Sequence, residues 1–168
     1  MIRENLPSLR VVEEAREYLK AAQIIERHAL DGDIGLFWPA AMNAGLASEL
    51  YLKSFLVERD PNHPGDRDDP EGYLKLVNGL SSDKHDLRAL YKAIPPELAE
   101  QLRQISNRLS PGFPLEERIR ACSKLFVETR YMYEARSAQG FDTEVFELAP
   151  HLDQVLEKMT RQPVSSRL

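Results

Sequence analysis

The chain is poor in the residues that most sites of covalent or metal chemistry require. It has 168 residues with one cysteine, Cys122, which cannot form an internal disulfide and so favours a reducing compartment. The four histidines lack the helical two-histidine spacing of metal ligands, so we expect neither a metal nor a cofactor. A Gly-rich phosphate loop and a Gly-x-Ser-x-Gly elbow are also missing, which argues against P-loop NTPases and α/β-hydrolases.

Long hydrophobic runs and a basic charge balance are missing as well. No apolar run is long enough to span a bilayer, and residues 1–7 lack the apolar segment of a signal peptide. The net charge of −5 provides no general basic field for gripping duplex DNA, although arginines are frequent between residues 103 and 136. We expect a cytoplasmic protein without membrane association, with one domain over residues 1–162 and a frayed tail at 163–168.

The sequence does contain a helix-forming segment, residues 38–56, that is apolar on nearly every side. Such a helix is typical of the centre of a bundle. Asn43, Glu49 and Lys53 interrupt it, and charged side chains are rarely buried unless they are paired or used. The segment therefore predicts both the fold class and the place of a site.

Apolar periodicity elsewhere predicts an all-α, antiparallel up-and-down bundle of five to six helices. The helices are expected at about 9–30, 39–58, 82–94, 96–109, 115–139 and 143–159, the third capped by Ser82 or Asp83. Pro150 either kinks the last helix or starts a new one. Segment 59–72, rich in Pro, Gly and Asp, predicts a flexible loop, and 73–80 fits a short helix or an extended piece.

Glu49 and Lys53 lie one helical turn apart in the favourable order, so the spacing predicts that they pair. One interpretation is a buried polar site at which Lys53, near Asn43, faces an anion. The other is an internal ion pair, or a lysine with a buried stem whose ammonium group reaches water.

Arg130 and Glu134 repeat this spacing on the fifth predicted helix, next to Tyr131. In a functional interpretation Arg130 holds a phosphate and a tyrosine stacks on a base. In a structural one, Arg130 cross-links two helices, with Glu134 or Glu49 as the acceptor.

His85 lies at the start of the third predicted helix, followed by Asp86. Free backbone N–H groups at a helix start attract anions, so His85 could serve as a base or a phosphate contact. Alternatively, Asp86 interacts favourably with the helix dipole and His85 only packs or caps.

Three segments in order resemble the HEPN (higher eukaryotes and prokaryotes nucleotide-binding) family. Ala44–Leu56 is similar to the second helix of that family, where small residues lead to Glu, an aliphatic pair and Lys. Lys84–Leu90 resembles its Lys/Gly-His-Asp-Leu start after a variable loop, and Arg130–Glu134 resembles its Arg- and Tyr-rich late helix.

The resemblance implies a small helical bundle, often a homodimer, linked to nucleotides or RNA in prokaryotic toxin–antitoxin, defence or stress systems. A nucleotidyltransferase or another toxin–antitoxin component is the implied partner protein. Lys53 and Arg130 would contact phosphate with Asn43, Tyr131 and His85 nearby, and Glu49 and Glu134 would hold the cations.

Many ribonucleases of this family carry an Arg followed after four to six residues by a His, a spacing that this sequence lacks; Arg59 lies too close to His63. The sequence therefore favours a protein that is not an enzyme, or an RNase with a different site. The alternative is a helical interaction module without a ligand, whose charges only fix the helix register. A hydrolase that uses His85 as its base is a third hypothesis, and it is disfavoured because spacing places neither a nucleophile nor a paired carboxylate near His85.

Overall fold

The computed structural model describes residues 5–77, 80, 84–130 and 143–161, with the side chain of Arg130 excluded. The chain is mostly helical, as the periodicity predicts. The α-helices are α1 (Leu9–Leu30), α2 (Phe37–Lys53), α3 (Leu87–Ala93), α4 (Pro96–Leu109), α5 (Leu115–Ala121), α6 (Leu125–Arg130) and α7 (Val145–Arg161). Within the described residues, no helix combines the length and the apolar character required to cross a membrane.

α2 is the central helix, as its all-round apolar sequence predicts. It packs against α1, α3, α6 and α7. Its small residues let these neighbours approach closely: a Cβ added at Gly45 would lie 3.2 Å from the backbone nitrogen of Phe126. The large side chains of Tyr51, Leu52 and Phe55 then fill the core between the helices.

The predicted end of α2 at residue 58 is wrong, because the helix stops at Lys53. The N–H groups of Phe55 and Leu56 donate to carbonyls three residues back, which tightens the last turn. Val57–Arg59 then forms strand β1, which pairs antiparallel with β2 (Leu74–Leu76), Val57 lying opposite Leu76. Of the two alternatives for 73–80, the extended one is therefore observed at β2. The prediction of helices alone is corrected by this small two-stranded sheet.

Two further boundaries differ from the prediction. The continuous helix expected over 115–139 is interrupted between α5 and α6, and residues 131–142 lie outside the described part. α3 begins at Leu87 with Asp86 as its cap, whereas Ser82 and Asp83 lie outside the described residues. Pro150 lies inside α7 and starts no new helix.

Candidate functional site

The site is centred on the carboxylate of Glu49 in the middle of the bundle. Glu49 is only 1 % exposed, and its oxygen Oε1 accepts a hydrogen bond from the ammonium group of Lys53, one turn later on α2. The Lys53 side chain is 14 % exposed, so its end lies close to water. The predicted pair is therefore present, and its carboxylate is the more deeply buried member.

His85 brings a second group to the same carboxylate oxygen. Its Nδ1 lies 3.0 Å from Oε1 of Glu49, across 36 residues of sequence. A carboxylate can only accept, so Nδ1 carries the proton and Nε2 of the neutral ring is left as an acceptor. The His85 side chain is 39 % exposed, and its ring packs against Phe126 with centroids 5.9 Å apart.

The segment that carries His85 is held by the start of α3. The Asp86 carboxylate accepts from the backbone N–H groups of Arg88, at 2.9 Å, and Ala89, at 3.1 Å, and from the Ser123 hydroxyl. Partial burial opposes ionisation, yet these three donors lower the pKa of Asp86 below its usual value. Asp86, and not the predicted Ser82 or Asp83, is thus the cap of α3, and it fixes the position of the histidine before it.

The second oxygen of Glu49, Oε2, is buried and has no hydrogen-bond partner among the described residues. A buried carboxylate oxygen without a donor is costly, by about 1–3 kcal/mol. The carboxylate can therefore accept one more donor in addition to Lys53 and His85.

Chemically, this arrangement is an imidazole oriented by a buried carboxylate next to a lysine. The carboxylate fixes which ring nitrogen carries the proton, and the lysine offsets the carboxylate charge. Such an imidazole can donate from Nε2 to an anion when protonated, or accept a proton there when neutral. The Ser123 hydroxyl donates to Asp86, the residue after His85, and so is not directed at His85.

The remaining predicted site residues do not join this cluster in the described part. The Asn43 side-chain amide donates to the carbonyl of Pro39, at 2.7 Å, within α2 itself. Arg130 is the last residue of α6, and its side chain, together with Tyr131 and Glu134, lies outside the described residues. Whether Arg130 meets Glu49 therefore stays a prediction.

Sequence reasoning missed two buried polar contacts between helices. Tyr51 donates to Asp153 on α7, at 3.0 Å, and burial together with the nearby carboxylate raises the pKa of Tyr51. Ser106 on α4 lies 2.7 Å from Nε2 of His151, whose pKa is lowered by burial. A signal for the second contact was present, since His151 interrupts the apolar stripe of α7 between Leu148 and Leu152.

Within the described residues, groups of three or more His, Cys, Asp or Glu side chains that could hold a metal ion do not occur. Comparison of the chain with protein-family models, with curated proteins and with solved structures finds no match in any of the three. The functional argument therefore depends on the geometry of the site itself.

Proposed function

We propose that the chain binds a phosphate-bearing ligand, a nucleotide or RNA, without cleaving it, on a helical bundle of the HEPN type. The observation that carries this proposal is that one buried carboxylate, that of Glu49, holds both Lys53 and the Nδ1 of His85. Burying an ion pair is weak evidence for stability, because the desolvation penalty offsets the attraction. A carboxylate that orients a part-exposed imidazole can instead serve ligand binding at the surface.

A phosphate group would be recognised through Nε2 of His85. With Nδ1 donating to Glu49, a protonated ring presents its second N–H to the phosphate oxygen as a charge-assisted donor. Lys53 adds a positive charge beside the same carboxylate, which makes the cluster attractive to an anion. Binding is favoured over hydrolysis because the Arg-to-His spacing of the ribonucleases is missing and the Ser123 hydroxyl is engaged elsewhere.

The resemblance in the sequence extends this proposal to the biological setting. We include in it a cytoplasmic location, a homodimer, and a nucleotidyltransferase or another toxin–antitoxin protein as partner.

The proposal is tested by binding and cleavage assays on the purified chain. Fluorescence polarisation with a labelled single-stranded RNA, calorimetry with a nucleotide panel and gels for cleavage would compare the wild type with His85→Ala. We expect at least about tenfold weaker binding, about 1.4 kcal/mol, and no cleavage by either protein. A folded wild type that binds neither probe would refute the proposal, and RNA cleavage would refute its non-catalytic part.

His63 offers a matched control for this experiment. It is a 64 % exposed histidine whose Nδ1 also lies beside a carboxylate oxygen, that of Asp60, at 2.8 Å. His63→Ala therefore removes the same kind of pair from the surface and should leave binding unchanged. Equal losses in both variants would show that the effect is not specific to the Glu49 cluster. Arg130→Ala in the same assay tests the predicted phosphate contact on α6.

The second candidate, an interaction module without a ligand, is favoured by one observation on α1. Ile24, Leu30 and the following Ile34 are large apolar residues that are 51 %, 68 % and 74 % exposed. Light scattering on the wild type and on Ile24→Lys would test self-association through this end of the bundle. If the wild type is a dimer that binds neither probe, and if Ile24→Lys is monomeric, the interaction module would be favoured.

A further inference from the structure

A groove beside α3 has the size of a ligand site. Its volume is about 900 Å³, which lies within the range of small-molecule pockets. Residues of α3 and α5 line it together with residues of α4, which include Ser106. His85 and the Glu49 cluster do not line the groove.

The charge of the groove is opposite to that of the whole chain. Four basic and two acidic side chains line it, in a chain whose net charge is −5. One of the four, Arg103, is engaged by Glu100 and lies 3.8 Å from the acidic groove residue Glu116. The other acidic residue is Glu117, so positive charge remains in excess.

The other three cations, Arg88 and Lys92 on α3 and Arg120 on α5, have no ion-pair partner among the described residues. Arg88 and Lys92 are four residues apart on the same short helix, a spacing at which like charges destabilise a helix. The repulsion between these two cations therefore costs some stability in the free protein. A bound anion would attract both of them and offset that repulsion.

The polar and aromatic lining fits an organic phosphate better than a bare ion. Asn107 on α4 also lines the groove, next to Ser106, whose buried hydroxyl contacts His151. Tyr91 adds a half-buried ring on the α3 side. The ring of Phe113 is already stacked on His151, with centroids 3.8 Å apart, so one of its faces is occupied.

We propose that this groove binds a chain of phosphate groups through Arg88, Lys92 and Arg120, as a second site that does not depend on the Glu49 cluster. Guanidinium groups match phosphate oxygens two at a time, and three cations on two helices in contact with each other suit an anion with several charges. A nucleoside triphosphate and the backbone of a short single-stranded RNA share this chemistry. Separate probes distinguish the two sources.

The test uses the full chain with three probes: inorganic triphosphate, ATP and a labelled single-stranded RNA of eight nucleotides. The variant is Lys92→Gln with Arg120→Gln, two exposed groove residues on different helices. We expect at least tenfold weaker binding of the preferred probe. If that probe is the RNA, the slope of log K against log salt concentration should decrease in magnitude by the amount expected for about two lost phosphate contacts. Whichever of ATP and RNA binds more tightly identifies the source.

A matched control removes the same amount of charge outside the groove. Arg67→Gln with Arg108→Gln changes two exposed arginines that do not line it. An equal loss in this control would overturn the proposal, since it would show an effect of net charge alone. An acidic peptide serves as a fourth, phosphate-free probe, and its tighter binding than that of any phosphate probe would overturn the proposal too.

Running His85→Ala beside these variants separates the two sites. A loss in the Lys92/Arg120 variant alone supports the groove and refutes phosphate binding at His85. A loss in His85→Ala alone does the reverse, and binding of no probe by the folded wild type overturns both. Circular dichroism on each variant establishes that it is folded.

Discussion

Replacing Lys53 and Glu49 separately and together should reveal an asymmetric, strongly coupled pair. Lys53→Met leaves a carboxylate that is 1 % exposed and whose remaining hydrogen-bond partner among the described residues is His85. Breaking a fully buried pair in this way costs about 3–5 kcal/mol. Because His85 still donates to Glu49 and the Lys53 side chain is 14 % exposed, water relieves part of this cost, and we expect about 2–3 kcal/mol.

Glu49→Leu leaves a cation that can bend toward water, and leucine fills the vacated volume, so the expected loss is about 1 kcal/mol. The double variant has no buried charge at positions 49 and 53, so its free energy of unfolding should lie within about 1 kcal/mol of that of the wild type. The double variant would then be more stable than Lys53→Met, with a coupling of about 2–4 kcal/mol.

Urea unfolding followed by circular dichroism measures all four proteins. The control is Lys20→Met, which removes the partner of Glu17 in an exposed pair and should cost at most about 0.5 kcal/mol. If Lys53→Met costs no more than this control, the carboxylate does not depend on Lys53 and the reasoning fails.

Three further predictions concern the packing, the cap and the buried histidine. Gly45→Val forces a side chain against the Phe126 backbone and should lower the free energy of unfolding by about 2–3 kcal/mol, whereas Gly35→Ala, with its nearest atom 3.7 Å away, should be nearly neutral in the same urea experiment. Asp86→Ala removes the α3 cap and should cost about 1 kcal/mol by thermal unfolding, while Asp86→Asn should retain most of that stability. Burial lowers the pKa of His151, so the unfolded chain binds more protons than the folded one below about pH 6.5, and stability is lost as the pH falls from there. His151→Gln should show a smaller loss between pH 7.5 and 5.5, and an identical pH dependence in both proteins would contradict this assignment.

The long helices could be predicted because their signals are local. The stripe of α1 repeats every three or four residues, and its members Ala15, Ala22 and Ala29 are all buried. The sequence of α2 offers no polar face, so a central position was the simplest expectation. Neither argument requires knowledge of any contact that is distant in the sequence.

The short elements could not be predicted, because tertiary contacts determine them. Each strand has three residues, too few for an alternating pattern to be recognised. The break between α5 and α6 contains neither glycine nor proline. It is held instead by Ser123, whose carbonyl accepts from the Leu87 N–H, at 2.9 Å, and whose hydroxyl donates to Asp86. No periodicity within residues 115–130 contains that information.

The same distinction explains which part of the site the sequence could indicate. Glu49 and Lys53 lie on one helix, so their spacing alone predicts the pair. The contact of Glu49 with His85 spans 36 residues and depends on the cap of α3, which the sequence placed at the wrong residue. The resemblance to the HEPN family implied that Glu49 and His85 belong to one site, but their spacing in the sequence did not predict a contact between them.

The burial of Glu49 is the strongest argument that this cluster serves more than the fold. The rest of α2 consists largely of alanine, leucine and aromatic residues, and an apolar pair at these two positions is expected to be nearly as stable. Stability therefore gives little reason to keep a carboxylate there. The Glu49 contact with His85 gives a different reason, because it fixes the ring proton and leaves Nε2 available at a part-exposed position. If the double apolar variant is as stable as the wild type and no longer binds the phosphate probes, the buried pair is explained by ligand binding and not by the stability of the fold.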